Sequence, residues 1–341
     1  MFIKQVLTYN NEMNILGVES SCDDTGLAIV DSKGEVIDYV TSSQHEIHAK
    51  FGGIVPELAS RDHVKKFIPL LNVLLDRCEK TIKDIDMIAF TNGPGLLGPL
   101  LAGASLSKSL AWCNNIPVIE VNHLEAHIYS PMITEKSLKP PFISLLVSGG
   151  HTLLSLVDKD FKIKNLGSTL DDSAGECFDK VARKLGLSYP GGPAIAKKAE
   201  FAVDSSFSFP RPMAKSNDFN FSFSGLKTHA INIINKVKLT EENINNISYE
   251  LQNAIVDTLI NKSVKASDEF CIKNIVVTGG VSANKKLRED FSLIKQKKAF
   301  FPDVRFSTDN GAMIAFAGFL KSKSTEFREN FKIKPNPSLT L

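Results

Sequence analysis

The sequence predicts an α/β protein of two similar lobes. Its 341 residues are too many for one small domain and about right for two. The same pattern also occurs twice. Ile15 to Glu19, then Ser20 to Gly26, then Leu27 to Val30 reads strand, tight polar turn, strand; Phe142 to Val147, Ser148 to Thr152 and Leu153 to Val157 reads the same way. Each hairpin is followed by mixed helices and strands, which suggests duplicated lobes facing each other.

The elements between follow from local pattern. Asp86 to Phe90 is a short apolar strand. Leu96 to Trp112, rich in Ala, Leu and Ser, is a helix, and Pro117 to Val121 is a strand feeding a helix capped by Asn122. Ser173 to Leu185 reads as a helix, and Tyr189-Pro190-Gly191-Gly192-Pro193 breaks the chain. Ile247 to Cys271 is largely helical, Asn274 to Thr278 is a strand, and Gly311 to Leu320 is a small-residue helix. The polar tail after Ser322 reads as frayed. The expected division is an extension at 1–12, lobe I at 13–122 plus 312–330, lobe II at 123–311 and a tail at 331–341.

Composition narrows the class. Hydrophobic residues make up 43% and charged residues 23%, which allows an ordinary buried core. A formal net charge of +2 gives no global basic field, so contact with nucleic acid falls to local patches or partners. Lys65-Lys66, Lys285 to Arg288 and Lys295 to Lys298 are such patches, or solvated helix faces. Five cysteines without a Cys-x-x-Cys pair read as reduced thiols of a cytosolic protein. No apolar run reaches the roughly 18 residues of a membrane span. Met1 to Glu12 lacks the pattern of a signal peptide and reads as an extension.

His123-Leu124-Glu125-Ala126-His127 places two histidines four apart, about 40° around a helix axis, so both rings can reach one point. They are a metal pair or two unrelated histidines. A zincin needs glutamate directly beside a histidine, whereas Glu125 sits midway, about 200° from the first. Asp309, before the last helix, is a candidate third ligand; an N-cap is its other role, and the one sequence alone favours. Two histidines and a carboxylate with open positions suit Fe(II) or Zn(II).

Ser148-Gly149-Gly150 lets backbone N–H groups approach a phosphate, and the Ser21 to Thr25 turn offers hydroxyls and carboxylates beside one; both also read as plain turns. Val277 to Asn284 is a strand, a double glycine and a helix start, suited to a nucleoside or to ordinary turn chemistry. Gly93-Pro94-Gly95-Leu96-Leu97-Gly98 matches a dinucleotide fingerprint, with Glu120 near the spacing of a ribose-binding acid. It lies outside the first unit, and the chain opens with a hairpin rather than a parallel crossover.

Nine ordered segments, ILGVESSCDDT (15–25), GGIVPELASRDH (52–63), the His-x-x-x-His segment, LLVSGGHT, DDSAGECFDK, YPGGP, FSFSGLKT, GGVSAN and STDNGAMIA, resemble the TsaD family, bacterial relatives of the catalytic subunit of the KEOPS complex. The resemblance runs from about Met13 to Leu320. It implies a two-lobed actin-like (ASKHA) fold of duplicated RNase H-like domains around a nucleotide cleft. It implies an acyltransferase that moves threonylcarbamoyl from threonylcarbamoyl-adenylate to N6 of adenosine 37 in tRNAs reading ANN codons, releasing AMP. Carried over residue by residue, His123, His127 and Asp309 would hold one divalent metal, Fe(2+) before Zn(2+). Leu146, Val147, Ser148, Gly149 and Gly150 would cradle the adenylate's phosphate or carboxylate, and Asp179, Gly192 and Asn284 would contact its nucleoside. The family usually writes Cys-Asp-Glu-Thr where this chain has Cys22-Asp23-Asp24-Thr25.

The resemblance further implies a cytoplasmic protein working on tRNA with a TsaB-like paralogue and a TsaE-like P-loop ATPase, a TsaC-type synthase supplying the adenylate, and neither membrane nor DNA as a partner. An ATPase or kinase of the same superfold is the alternative; a metalloprotease and a dinucleotide oxidoreductase stand further off. No Ser-His-Asp or Cys-His signature is present, so no covalent intermediate is assigned.

Overall fold

The computed structural model describes residues 13–51, 53–203, 207–323 and 332–341. The expected extension at 1–12 lies outside them, as do residues 324–331. Two compact units divide the described chain. One takes the residues up to Ile133 together with Asp309–Thr340, and the other takes Thr134–Thr308.

In the first unit, β1 (Ile15–Glu19), β2 (Asp24–Val30) and β3 (Val36–Ser43) form an antiparallel meander. After α1 (His45–Ala49) and α2 (Pro56–Arg77), β4 (Met87–Gly93) joins β1 in parallel. Then α3 (Leu97–Asn114) leads to β5 (Val118–Asn122), parallel to β4, and on to α4 (His123–Tyr129). The sheet order is β3-β2-β1-β4-β5. In the second unit, β6 (Phe142–Val147), β7 (Thr152–Val157) and β8 (Ile163–Ser168) form the meander. Helices α5 (Ala174–Lys184), α6 (Gly191–Ala199), α7 (Ser224–Lys236) and α8 (Glu241–Glu269) follow. Next, β9 (Asn274–Thr278), α9 (Lys285–Ser292) and β10 (Lys298–Phe300) complete a sheet of order β10-β9-β6-β7-β8. Read from the meander edge, the two sheets have one topology: three antiparallel strands, then two parallel ones. The duplication expected from the two hairpins is therefore present. Finally, α10 (Gly311–Ser322) returns to the first unit.

All five residues of β1 are buried, because both faces of its sheet are covered. On one face Leu16, Val18 and Phe90 pack with Phe67, Leu71 and Leu74 of α2, whose buried positions recur at helical spacing. On the other lies α10, which packs on β1, β2 and β4. That approach is close: a Cβ on Gly17 would run into the Gly311 carbonyl and the Ala315 backbone, and one on Gly311 would run into Leu27 and Ala28. The second unit's core gathers Leu145, Val277, Phe178, Phe221 and Phe223 around the buried side of α8.

Two expectations need correction. The unit boundaries fall after Ile133 and before Asp309, rather than at 122/123 and 311/312. The reason is that α4 packs on α10 and β4, and the Glu125–Lys321 ion pair (2.7 Å) ties α4 to α10, so both histidines and Asp309 belong to the first unit. The tail is also not frayed over 332–340. Asn336 N–H donates to Asn92 O (2.7 Å), Pro337 O accepts from Gly95 N–H (3.1 Å) and Thr340 O accepts from the Asn122 amide (3.0 Å). The tail contributes only backbone groups to these bonds, so its own polar side chains gave no sign of them.

Replacing Gly17 by valine should lower the unfolding free energy by about 3 kcal/mol, the cost of overpacking where only backbone lies opposite. Denaturant unfolding of the purified chain measures this; a loss under about 1 kcal/mol would mean that α10 is free to shift.

Candidate functional site

Strand β5 ends at Asn122, and α4 begins at the next residue. The Asn122 side chain caps the helix by accepting from Leu124 N–H (2.9 Å) and Glu125 N–H (3.3 Å), as the sequence predicts. His123 and His127, one turn apart, present rings 4.6 Å between centroids and 87° between planes. Asp309 is not the cap of α10. Asn310 takes that role by accepting from Met313 N–H (2.9 Å), and Asp309 instead meets the histidines. Its Oδ1 lies 3.0 Å from His127 Nε2 and 3.7 Å from His123 Nε2. One ligand atom from each residue can be chosen so that all three lie within 4.8 Å of one another.

The trio sits amid acidic charge. Glu19, at the end of β1 and wholly buried, accepts from His123 Nδ1 (3.1 Å), from Thr91 Oγ1 (2.7 Å) and from Ser21 N–H (2.5 Å). Burial pushes the His123 imidazole down, but Glu19 and Asp309 outweigh it and hold it up at about 9. Burial also pushes Asp24 up to about 7, with Asp309, Asp23 and Glu19 adding repulsion against its hydrogen bond from Ser43. Asp24 Oδ1 is buried with no hydrogen-bond partner. Carboxylates thus outnumber the positive charge here. A divalent cation would offset that surplus, and two imidazoles with a carboxylate are suitable donors for one. The residues fit a metal site. Burial, with Asp23 beside it, pushes the Cys22 thiol well above its ordinary value, so it stays a thiol at neutral pH.

The substrate candidates all lie in the second unit, and several converge at the carboxyl ends of its parallel strands β6 and β9. Leu146 and Val147 are buried, so only their backbone can face a ligand. The turn after them closes with Ser148 N–H to His151 O (2.8 Å) and His151 N–H to Ser148 Oγ (3.1 Å). A Cβ on Gly149 or Gly150 would meet nothing within 4 Å, so packing does not require glycine there. The start of α5 abuts this turn: Ser173 Oγ donates to Gly149 O (2.5 Å), and Gly175 leaves room for Ser148 O. Gly279, at φ +88°, carries the chain past Val147. On α5, Asp179 accepts from Gly191 N–H (2.7 Å), which seats the turn whose next residue, Gly192, has open space where a Cβ would be. Asn284 caps α9 through Leu287 N–H (3.0 Å) and donates to Gln252 Oε1 (2.9 Å). One donor and one acceptor site of its amide remain.

The dinucleotide look-alike is structural. Side chains on Gly93, Gly95 and Gly98 would run into Asn336, Ser21 and Ser60 respectively, so protein fills the space a pyrophosphate would need. Glu120 is paired with Lys108 (2.8 Å). Glu125, paired with Lys321, does not face the trio as a protease base would. Sequence reading missed Glu19, Thr91 and the burial of Asp24. A signal existed for the first, since Glu19 is a carboxylate closing an otherwise apolar strand.

A family profile described as TsaD, tRNA N6-adenosine threonylcarbamoyltransferase, matches residues 35–316. Relatives bearing that description include proteins of Ralstonia pickettii, 46% identical over 317 residues (91% of each chain), and Nitrosomonas eutropha, 46% identical over 312 residues (91% of this chain and 92% of that one). Among solved structures, the activator of the 2-hydroxyisocaproyl-CoA dehydratase from Clostridium difficile, with bound ADPNP, matches at a TM-score of 0.54 and 12% identity, covering 91% of this chain and 96% of that one. This likeness establishes the two-lobed actin-like fold class. With that fold, the His123–His127–Asp309 cluster and near full-length matches in sequence, the chain belongs to the tRNA N6-adenosine threonylcarbamoyltransferase (TsaD) family.

Proposed function

We propose that this protein transfers a threonylcarbamoyl group from threonylcarbamoyl-adenylate to N6 of adenosine 37 in tRNAs that read ANN codons, with AMP as the leaving group. Family membership over nearly the whole chain carries the reading. The convergence of His123, His127 and Asp309 supports its metal-dependent form, with Fe(2+) favoured and Zn(2+) as the other candidate.

The chemistry sets the requirements. The N6 amine of adenine is a poor nucleophile, and the donor is a mixed carbamate–phosphate anhydride. A bond forms from N6 to the carbamoyl carbon, the bond from that carbon to the phosphate oxygen breaks, and N6 loses a proton. Orientation and stabilisation of developing negative charge are the enzyme's share. A divalent ion on the trio would supply Lewis-acid polarisation of a donor oxygen. The backbone of Leu146 to Gly150 would receive the donor's phosphate, where the bare turn lets N–H groups come close. Asp179 would act by seating the turn at Gly192, and Asn284 by its remaining amide positions against the nucleoside. The raised Cys22 thiol supports direct transfer without an enzyme-bound acyl group.

The target adenine must leave its stack to react, as for other base-modifying enzymes. With a net charge of only +2, the tRNA surface is shared with partners, a TsaB-like paralogue and a TsaE-like P-loop ATPase. Work on tRNA supports a cytoplasmic location. No helix among the described residues is long and apolar enough to cross a membrane.

The decisive experiment is incorporation of labelled threonine into unmodified tRNA, with ATP, bicarbonate, the adenylate synthase and both partners. Label should require this chain and drop by orders of magnitude with His123→Ala or His127→Ala. Label surviving both changes would retain the transferase and remove the metal from it; no label, with partners active beside a homologue, would favour the ATPase reading. Gly150→Val should leave the melting temperature within about a degree, since its side chain would enter open space, yet weaken AMP binding roughly tenfold, about 1.4 kcal/mol. Unchanged AMP affinity in a titration would move the phosphate cradle elsewhere.

A further inference from the structure

Among the described residues of the first unit, Glu19 is the most fully buried carboxylate, at 0% exposure, and it closes a strand whose other four residues are apolar. A buried charge in such a place is retained only with partners. Three hold it. Thr91 Oγ1 on β4 donates at 2.7 Å, Ser21 N–H from the following turn donates at 2.5 Å, and His123 Nδ1 lies at 3.1 Å. The first two fix the carboxylate, and the third fixes the imidazole. With Nδ1 turned to Glu19, the opposite nitrogen, Nε2, is the one facing Asp309. His127 likewise presents Nε2 to that carboxylate, at 3.0 Å.

We infer that Glu19 is a positioning residue of the metal centre, which holds His123 as the tautomer protonated on Nδ1, presents Nε2 to the ion and sets how tightly the ion binds. The inference rests on the metal reading of His123, His127 and Asp309. A ligating histidine whose other N–H is taken by a carboxylate is fixed in orientation and is a stronger donor. Charge points the same way: with both imidazoles neutral, the carboxylates of Glu19 and Asp309 match the two charges of a divalent ion. Thr91 completes the chain, since its hydroxyl aims Glu19 and Glu19 aims His123.

The test is titration of the purified chain with Co2+, following its visible absorption, beside chelator competition with Zn2+. Wild type should show one saturable site that His127→Ala abolishes. Glu19→Gln keeps the shape but removes the charge, and should weaken both metals at least about tenfold and shift the Co2+ band. Thr91→Val should weaken binding to a smaller extent while the metal-free protein melts within a few degrees of wild type. Should Glu19→Gln fail to fold, Thr91→Val decides alone. Affinity and spectrum as in wild type for the folded variants would overturn the role of Glu19 and leave the metal centre standing. Absence of a His127-dependent site in wild type would overturn the metal reading and this inference with it.

Discussion

The close approach of α10 to the β1–β2 hairpin underlies the rest of the first unit. Only glycine at 17 and 311 allows helix backbone to lie against strand backbone with no side chain between them. That contact has a positional consequence. Glu19 ends β1, and Asp309 lies two residues before α10, so seating the helix on the strand fixes two carboxylates relative to each other. The Glu125–Lys321 pair then ties α4, with both histidines, to the same helix. His123, His127 and Asp309, the last far along the chain from the other two, are thus held by one packed layer, and packed layers yield little to local strain.

Electrostatics makes that layer demanding. Glu19 and Asp309 flank His123 and hold its imidazole at about 9, while burial first, and then repulsion from Asp309, Asp23 and Glu19, raises Asp24 to about 7. Buried like charges cost stability unless something opposes them. A protonated imidazole does so in part, and a divalent ion would do so more completely by taking the lone pair that the proton occupies. The same residues that would serve the chemistry are therefore a cost to the bare fold. This is the usual relation between functional sites and stability.

Glycines in this chain do two different jobs, and only their surroundings separate them. Those at 93, 95 and 98 form a recognised nucleotide fingerprint, yet each is pressed against neighbouring protein. Those at 149 and 150, in the turn after β6, and at 192, in the first turn of α6, have open space where a side chain would be. A pattern of letters cannot tell a glycine required by packing from one that leaves room for a ligand.

Much of the architecture was legible because it is local. The short apolar strands, the Asn122 cap, the helix of small residues after Asp309 and the repeated hairpin all depend on near neighbours, and the spacing of His123 and His127 settles their shared face by helix geometry alone. The resemblance in nine ordered segments supplied the family. The rest depended on contacts between distant parts of the chain. Asp309 reads as a cap until Asn310 is seen to fill that role. The unit boundary moves because α4 packs on α10, and the tail is held at Asn336, Pro337 and Thr340 through its backbone groups, which its own side chains do not announce. Glu19 shows as a misplaced charge in an apolar strand, but its partner lies 104 residues away. Sequence by itself determined the elements, the duplication and the kinds of donor atom, because short-range sterics and periodicity govern them. Only the tertiary structure decided which carboxylates face the histidines, because that follows from how closely two backbones can pack.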